Sequence, residues 1–141
     1  MTRQTNWDFD TDWNTVDLTE FAAAWLETCG NDEPPIDNSI GVAVTAFTFR
    51  ASPELQWKFI EIAVQLAKSV DDLCAIAAGP VEKLLGDHGD DYIACVEARC
   101  VADAKFRRMV CGVWQYEMTD EVWGRVQALQ ALDHNQWPYS D

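Results

Sequence analysis

Two histidines among 141 residues leave little room for imidazole chemistry, and the one in a suggestive setting is His88. It lies in the stretch Gly-Asp-His-Gly-Asp-Asp-Tyr (residues 86–92), beside Asp87, Asp90 and Asp91. An imidazole among three carboxylates is a donor set able to hold a divalent metal. On that reading the chain is a small metal-dependent enzyme or metal-binding protein centred on His88. A plainer reading uses the same residues. His88 completes an apolar stripe with Val81, Leu84 and Leu85 in the last turn of a helix, where a partly positive imidazole suits the helix dipole. Asp90 and Asp91 then cap the helix that follows. Because the plainer reading places every residue, the metal site stands as the alternative and no cofactor is implied.

The five cysteines, Cys29, Cys74, Cys95, Cys100 and Cys111, form an odd set with no C-x-x-C pair. Each falls in a segment with helical spacing, mostly among apolar neighbours, as reduced thiols used for packing do. Cys95 and Cys100 are five apart, so on one helix they point in different directions. A Cys95–His88 nucleophile pair lacks the cationic surroundings that would lower a thiol pKa. No phosphate-binding glycine loop, dinucleotide fingerprint or nucleophile elbow is present. Paired carboxylates carry no information in a chain with 24 acidic residues.

Charge is the strongest compositional signal. The 24 acids oppose 10 bases for a net charge of −14, and the sequence pI is about 4.2. No base occurs between Arg3 and Arg50, where Asp8, Asp10, Asp12, Asp17, Glu20, Glu27, Asp32, Glu33 and Asp37 accumulate. Such a surface repels phosphate backbones and anionic membranes, which argues against direct nucleic-acid or membrane binding. It attracts a basic protein face, or serves only to keep the protein soluble. Hydrophobic residues make up 48% of the chain and seven residues are Trp, a composition that folds rather than staying disordered. No run approaches the roughly 18 apolar residues of a membrane span. The acidic N-terminus is unlike a secretory signal, so a cytoplasmic location is expected.

The elements that must position these residues are helices. Residues 1–16 read as an extended acidic arm whose aromatics, Trp7, Phe9 and Trp13, can pin it to the body. Asp17 opens a helix with Leu18, Phe21, Ala22, Trp25 and Cys29 at helical spacing, and Gly30 stops it. Residues 39–50 fit either period, and helix is expected because a lone strand has nothing to pair with. Ser52 caps and Pro53 opens a long helix to Lys68, apolar on most of its circumference. A short helix covers 69–78. Gly79-Pro80 breaks the chain into the His88 helix, which Gly89 ends. One more helix begins at Asp90-Asp91. Another follows Asp103, with Phe106, Met109, Val110, Val113 and Trp114 on one stripe. Thr119-Asp120-Glu121 starts the last, with Val122, Val126 and Leu129 inward, and residues 133–141 form a tail. The expected fold is all-α: a single layered domain over 17–132, six to eight antiparallel helices in an irregular HEAT-like stack without a fixed repeat.

The run Ala77–Gly89 (AAGPVEKLLGDHG), with Phe106–Arg108 (FRR), Gly112–Trp114 (GVW) and Val122–Val126 (VWGRV), resembles a bacterial family known as a domain of unknown function. The resemblance covers roughly residues 18–130. It implies a small helical protein and assigns no activity.

The expected function is therefore binding without catalysis: a toxin-immunity protein, or a DNA-mimic inhibitor such as a phage anti-defence protein. Asp8, Asp10, Asp12, Glu27, Asp32, Glu33 and Asp37 are the expected steering charges, with Trp7 or Trp13 as anchors. Trp123, off the apolar stripe of its helix, is expected to be exposed. A structural or oligomerisation module would use Trp123 and the last helix at a homomeric contact. Arg107-Arg108, the doubled basic site, fits ion pairing with the acidic surface.

Overall fold

A computed structural model describes residues 7, 11–29 and 39–132. The described residues form helices and connecting turns, with no strand among them. The protein is all-α. Its backbone contacts gather into two compact units, residues 1–72 and 73–141.

In the first unit the elements that begin at Trp13, Leu18 and Pro53 start where capping chemistry sets them. Asp12 accepts the Asn14 N–H at 3.1 Å and opens a 3-10 turn at Trp13–Thr15. Helix α1 (Leu18–Leu26) begins where the Asp17 carboxylate accepts the Thr19 and Glu20 amides at 3.0 and 3.1 Å, meeting donors that no carbonyl of the helix can reach. Helix α2 (Ser39–Arg50) resolves the ambiguous segment in favour of the helical period: Ala43, Val44, Ala46 and Phe47 are buried while Val42 and Phe49 are exposed. Helix α3 (Pro53–Leu66) is capped by Ser52, whose hydroxyl accepts the Leu55 N–H at 3.3 Å, and Pro53 stands where no N–H is needed. α1 packs most extensively on α3 and also touches α2. Sequence order alone would have ranked α2 first as its neighbour.

The core of this unit is aromatic. The Phe21 ring lies 5.0 Å from Trp7, 5.1 Å from Trp13 and 5.4 Å from Phe59. Phe47 contacts Trp13 at 5.2 Å and Phe59 at 5.1 Å. Such tilted and edge-on pairs each contribute about 0.5–1.5 kcal/mol beyond the area they bury. Gln56, the buried polar residue of α3, donates its amide to the Ala51 carbonyl at 2.9 Å.

Helix α4 (Val70–Ile76) follows. Its start is doubly capped: the Ser69 hydroxyl accepts the Asp72 N–H at 3.1 Å, and the Asp72 carboxylate accepts the Lys68 N–H at 2.8 Å.

Two expected breaks in the second unit are absorbed instead of ending helices. Gly79-Pro80 lies within a π-helical turn, Ala77–Val81, that runs directly into helix α5 (Glu82–Ala102). The wider turn carries the backbone past a proline that can donate no hydrogen bond. α5 does not end at Gly89. It kinks at His88, whose φ of −137° and ψ of 32° are non-helical, and continues to Ala102. Helix α6 (Ala104–Val110) is capped by Asp103, which accepts the Lys105 and Phe106 amides at 2.9 and 3.3 Å. Helix α7 (Asp120–Gln130) is capped by Thr119, which accepts the Val122 N–H at 3.2 Å. α5, α6 and α7 pack on one another, burying Ile93, Val96, Cys100, Phe106, Met109 and Val126. Gly89 allows α7 in close: a Cβ there would stand 3.1 and 3.2 Å from the two Val122 methyls.

Candidate functional site

The expected anchors are core residues. Trp7 is 6% and Trp13 4% exposed, both against Phe21, so neither presents an indole to a partner. The arm supplies two rings to the core of its unit, and this corrects their assignment to the surface. Of the steering charges, Asp12 is exposed ahead of its turn and Glu27 is exposed just past the end of α1. Asp8, Asp10, Asp32, Glu33 and Asp37 lie outside the described residues. Glu27 borders a hollow of about 290 Å³ with Ala23, Leu26, Leu66, Lys68 and Asp72. Burial, reinforced by the Asp72 carboxylate, pushes the Cys29 thiol up to about 11, far from the range of a reactive cysteine.

The His88 stretch is brought together by the kink in α5. Asp87, His88, Asp90 and Asp91 border one hollow of about 270 Å³, with Thr119 and Val122 on its other side. Their side chains do not converge as ligands: among the described residues no three of His, Cys, Asp and Glu form a group that could hold a metal ion. Kinking turns His88 off the helical stripe, which leaves it half-buried rather than in the core. Asp87 accepts an ion pair from Lys83 at 3.0 Å, one helical turn back.

Among the described residues the exposed tryptophan is one that spacing placed inward. Trp123 is half-buried, whereas Trp114 is 74% exposed and Tyr116 53%. The difference arises where α6 stops. It ends at Val110, and the Gln130 side-chain amide from α7 donates to the carbonyls of Val110 and Val113, at 3.1 and 2.8 Å. The chain then turns away, burying Val113 and carrying Trp114 outward.

That loop is held from several sides. The Trp114 N–H donates to the buried Glu82 carboxylate at 3.0 Å. Gln115 donates its side-chain amide to the Met118 carbonyl and to Asp120, both at 3.1 Å. Gly86 admits the loop against α5: a Cβ there would come within 2.9 Å of the Tyr116 carbonyl oxygen. Glu117, next along, takes the left-handed conformation with φ of 57°, uncommon for a residue with a side chain. The family of unknown function DUF6869 matches residues 31–133, a span that contains the whole of this construction. The chain belongs to that family. No curated protein and no solved structure matches it.

The DUF6869 span begins after Trp7, Asp12, Trp13 and Glu27, and takes in the His88 kink, Trp114 and Trp123. Among its described residues several titratable groups are shifted. Desolvation raises the Glu82 carboxyl above its ordinary value, against the pull of the Trp114 amide. The bidentate hydrogen bond from Arg125 lowers the Glu97 carboxyl. Burial raises the Cys100 thiol to about 12, with Arg107 opposing. The Arg107 guanidinium donates to the Cys100 carbonyl at 3.1 Å, so this half of the doubled basic site braces the α5–α6 corner. No helix among the described residues is long and apolar enough to cross a membrane.

Proposed function

We propose that this DUF6869 protein is a non-enzymatic, acidic binding protein that neutralises or regulates a basic protein partner in the cytoplasm. The observation that carries the reading is the imbalance of charge: a net −14, with several of the few bases already engaged internally. Lys83 pairs with Asp87, Arg125 with Glu97, and Arg107 with a backbone carbonyl. What remains to face outward is predominantly carboxylate, a field that speeds encounter with a cationic surface and disfavours polyanions. The two thiols raised to about 11 and about 12 are poor nucleophiles, which argues against cysteine catalysis at Cys29 or Cys100.

Two settings suit such a protein: immunity to a basic toxin, and inhibition of a nucleic-acid-binding protein by imitation of its polyanionic substrate, as in phage anti-defence. Capture from lysate of the source cells at low salt, followed by stepwise salt elution and mass spectrometry, tests the reading. A discrete basic protein, released by salt and re-forming a defined complex when purified, is the expected result. Specific retention of a neutral or acidic protein at high salt would contradict it.

A further inference from the structure

We infer that the α6–α7 loop is the docking surface itself, and that Trp114 and Tyr116 receive arginine side chains from a basic segment of the partner. This inference rests on the reading of a basic partner and adds where and by what chemistry it is held. Large aromatics standing 74% and 53% exposed are ordinarily explained by a slack loop, and this loop is not slack. Val113 and Met118 are buried on either side of the exposed pair. Glu82, Gln115 and Gln130 fix the backbone between them. Gly86 removes the one side chain that would hold Tyr116 off α5. The backbone that carries the two rings is therefore held in place, so less loop freedom is lost when a partner covers them.

Charge decides the occupant. The loop carries exposed Glu117 and leads into exposed Asp120 and Glu121. Further along α5, Asp90 and Asp91 are exposed beside the hollow that Thr119 and Val122 also border. The base on that stretch of α5, Lys83, is held by Asp87. Exposed aromatic rings on a loop whose flanking residues are carboxylates favour a guanidinium, which stacks on the ring while its edge reaches an acid. A purely apolar partner segment would leave those carboxylates desolvated without counter-charge.

The experiment measures binding of a fluorescein-labelled octa-arginine peptide to the full chain by anisotropy at low and moderate salt, with octa-lysine for comparison. Trp114→Ala and Tyr116→Ala are the variants, and circular dichroism checks that both stay folded. The expected result is tighter binding of octa-arginine than of octa-lysine, weakened about five- to tenfold by Trp114→Ala and less by Tyr116→Ala. Salt-sensitive binding that both variants leave unchanged would overturn this surface and leave the basic-partner reading standing. Failure of both peptides to bind even at low salt would overturn both. Concentration-dependent self-association abolished by Trp114→Ala would also overturn the inference, by assigning the loop to a second copy of the chain.

Discussion

The Trp114 amide and the Glu82 carboxylate meet at 3.0 Å, tying the α6–α7 loop to the first turn of α5. Glu82 is only 9% exposed. One buried acid thus positions a loop whose next side chains point to solvent. Its elevated pKa means that the folded state binds a proton more readily than the unfolded chain does. Stability therefore falls as pH rises from the unfolded value of 4.5 through the raised folded value, and the penalty is complete above it. Glu82→Gln keeps an acceptor for the Trp114 N–H and removes the charge. The variant is expected to melt above the wild type at pH 7, with the gap closing below about pH 4.5. Thermal melts across that range check it.

The division between core and surface tryptophans is testable by truncation. Trp13→Ala opens a cavity among Phe21 and Phe47 and is expected to destabilise by about 3–5 kcal/mol. Trp114→Ala removes an exposed ring and should change stability by no more than about 0.5 kcal/mol. Urea titration of the two variants separates the roles.

Gly86 and Gly79 form a matched pair. A Cβ at Gly86 would meet the Tyr116 carbonyl at 2.9 Å, backbone that cannot swing aside, whereas one at Gly79 meets nothing within 4 Å. Gly86→Ala is expected to cost about 1–3 kcal/mol. Gly79→Ala should be neutral or stabilising by up to about 1 kcal/mol. Denaturant midpoints of the two variants provide the comparison.

Most element starts could be read from residue types, because caps act locally. Asp17, Ser52, Asp103 and Thr119 each precede their helix and each accepts the amides expected of a cap. Ends and interruptions depended on contacts distant in sequence. The spacing of Phe106, Met109, Val110, Val113 and Trp114 is helical, yet α6 stops at Val110, where a side chain twenty residues on takes up its carbonyl. Pro80 signalled a break and the chain answered with a wider turn. Trp7 and Trp13 look like surface residues among acids until Phe21 and Phe47 are set beside them. Gly112, shortly before Trp114, was the one local sign that the helix would not reach the indole.

Thiol accessibility gives a further check. Cys95 is exposed, while Cys100 is buried and its thiol is raised to about 12. Under native conditions at pH 7.5 a maleimide is expected to label Cys95 first and to leave Cys100 unlabelled until denaturant is added. Peptide mapping of the labelled sites reads the order directly.

The central claim, that negative charge brings a basic partner to this molecule, is tested most directly by the association rate constant of that partner as ionic strength rises. Between about 20 and 300 mM salt the Debye length shrinks severalfold, and the account predicts at least a tenfold fall in the association rate with a much smaller change in dissociation. An association rate indifferent to salt would contradict it.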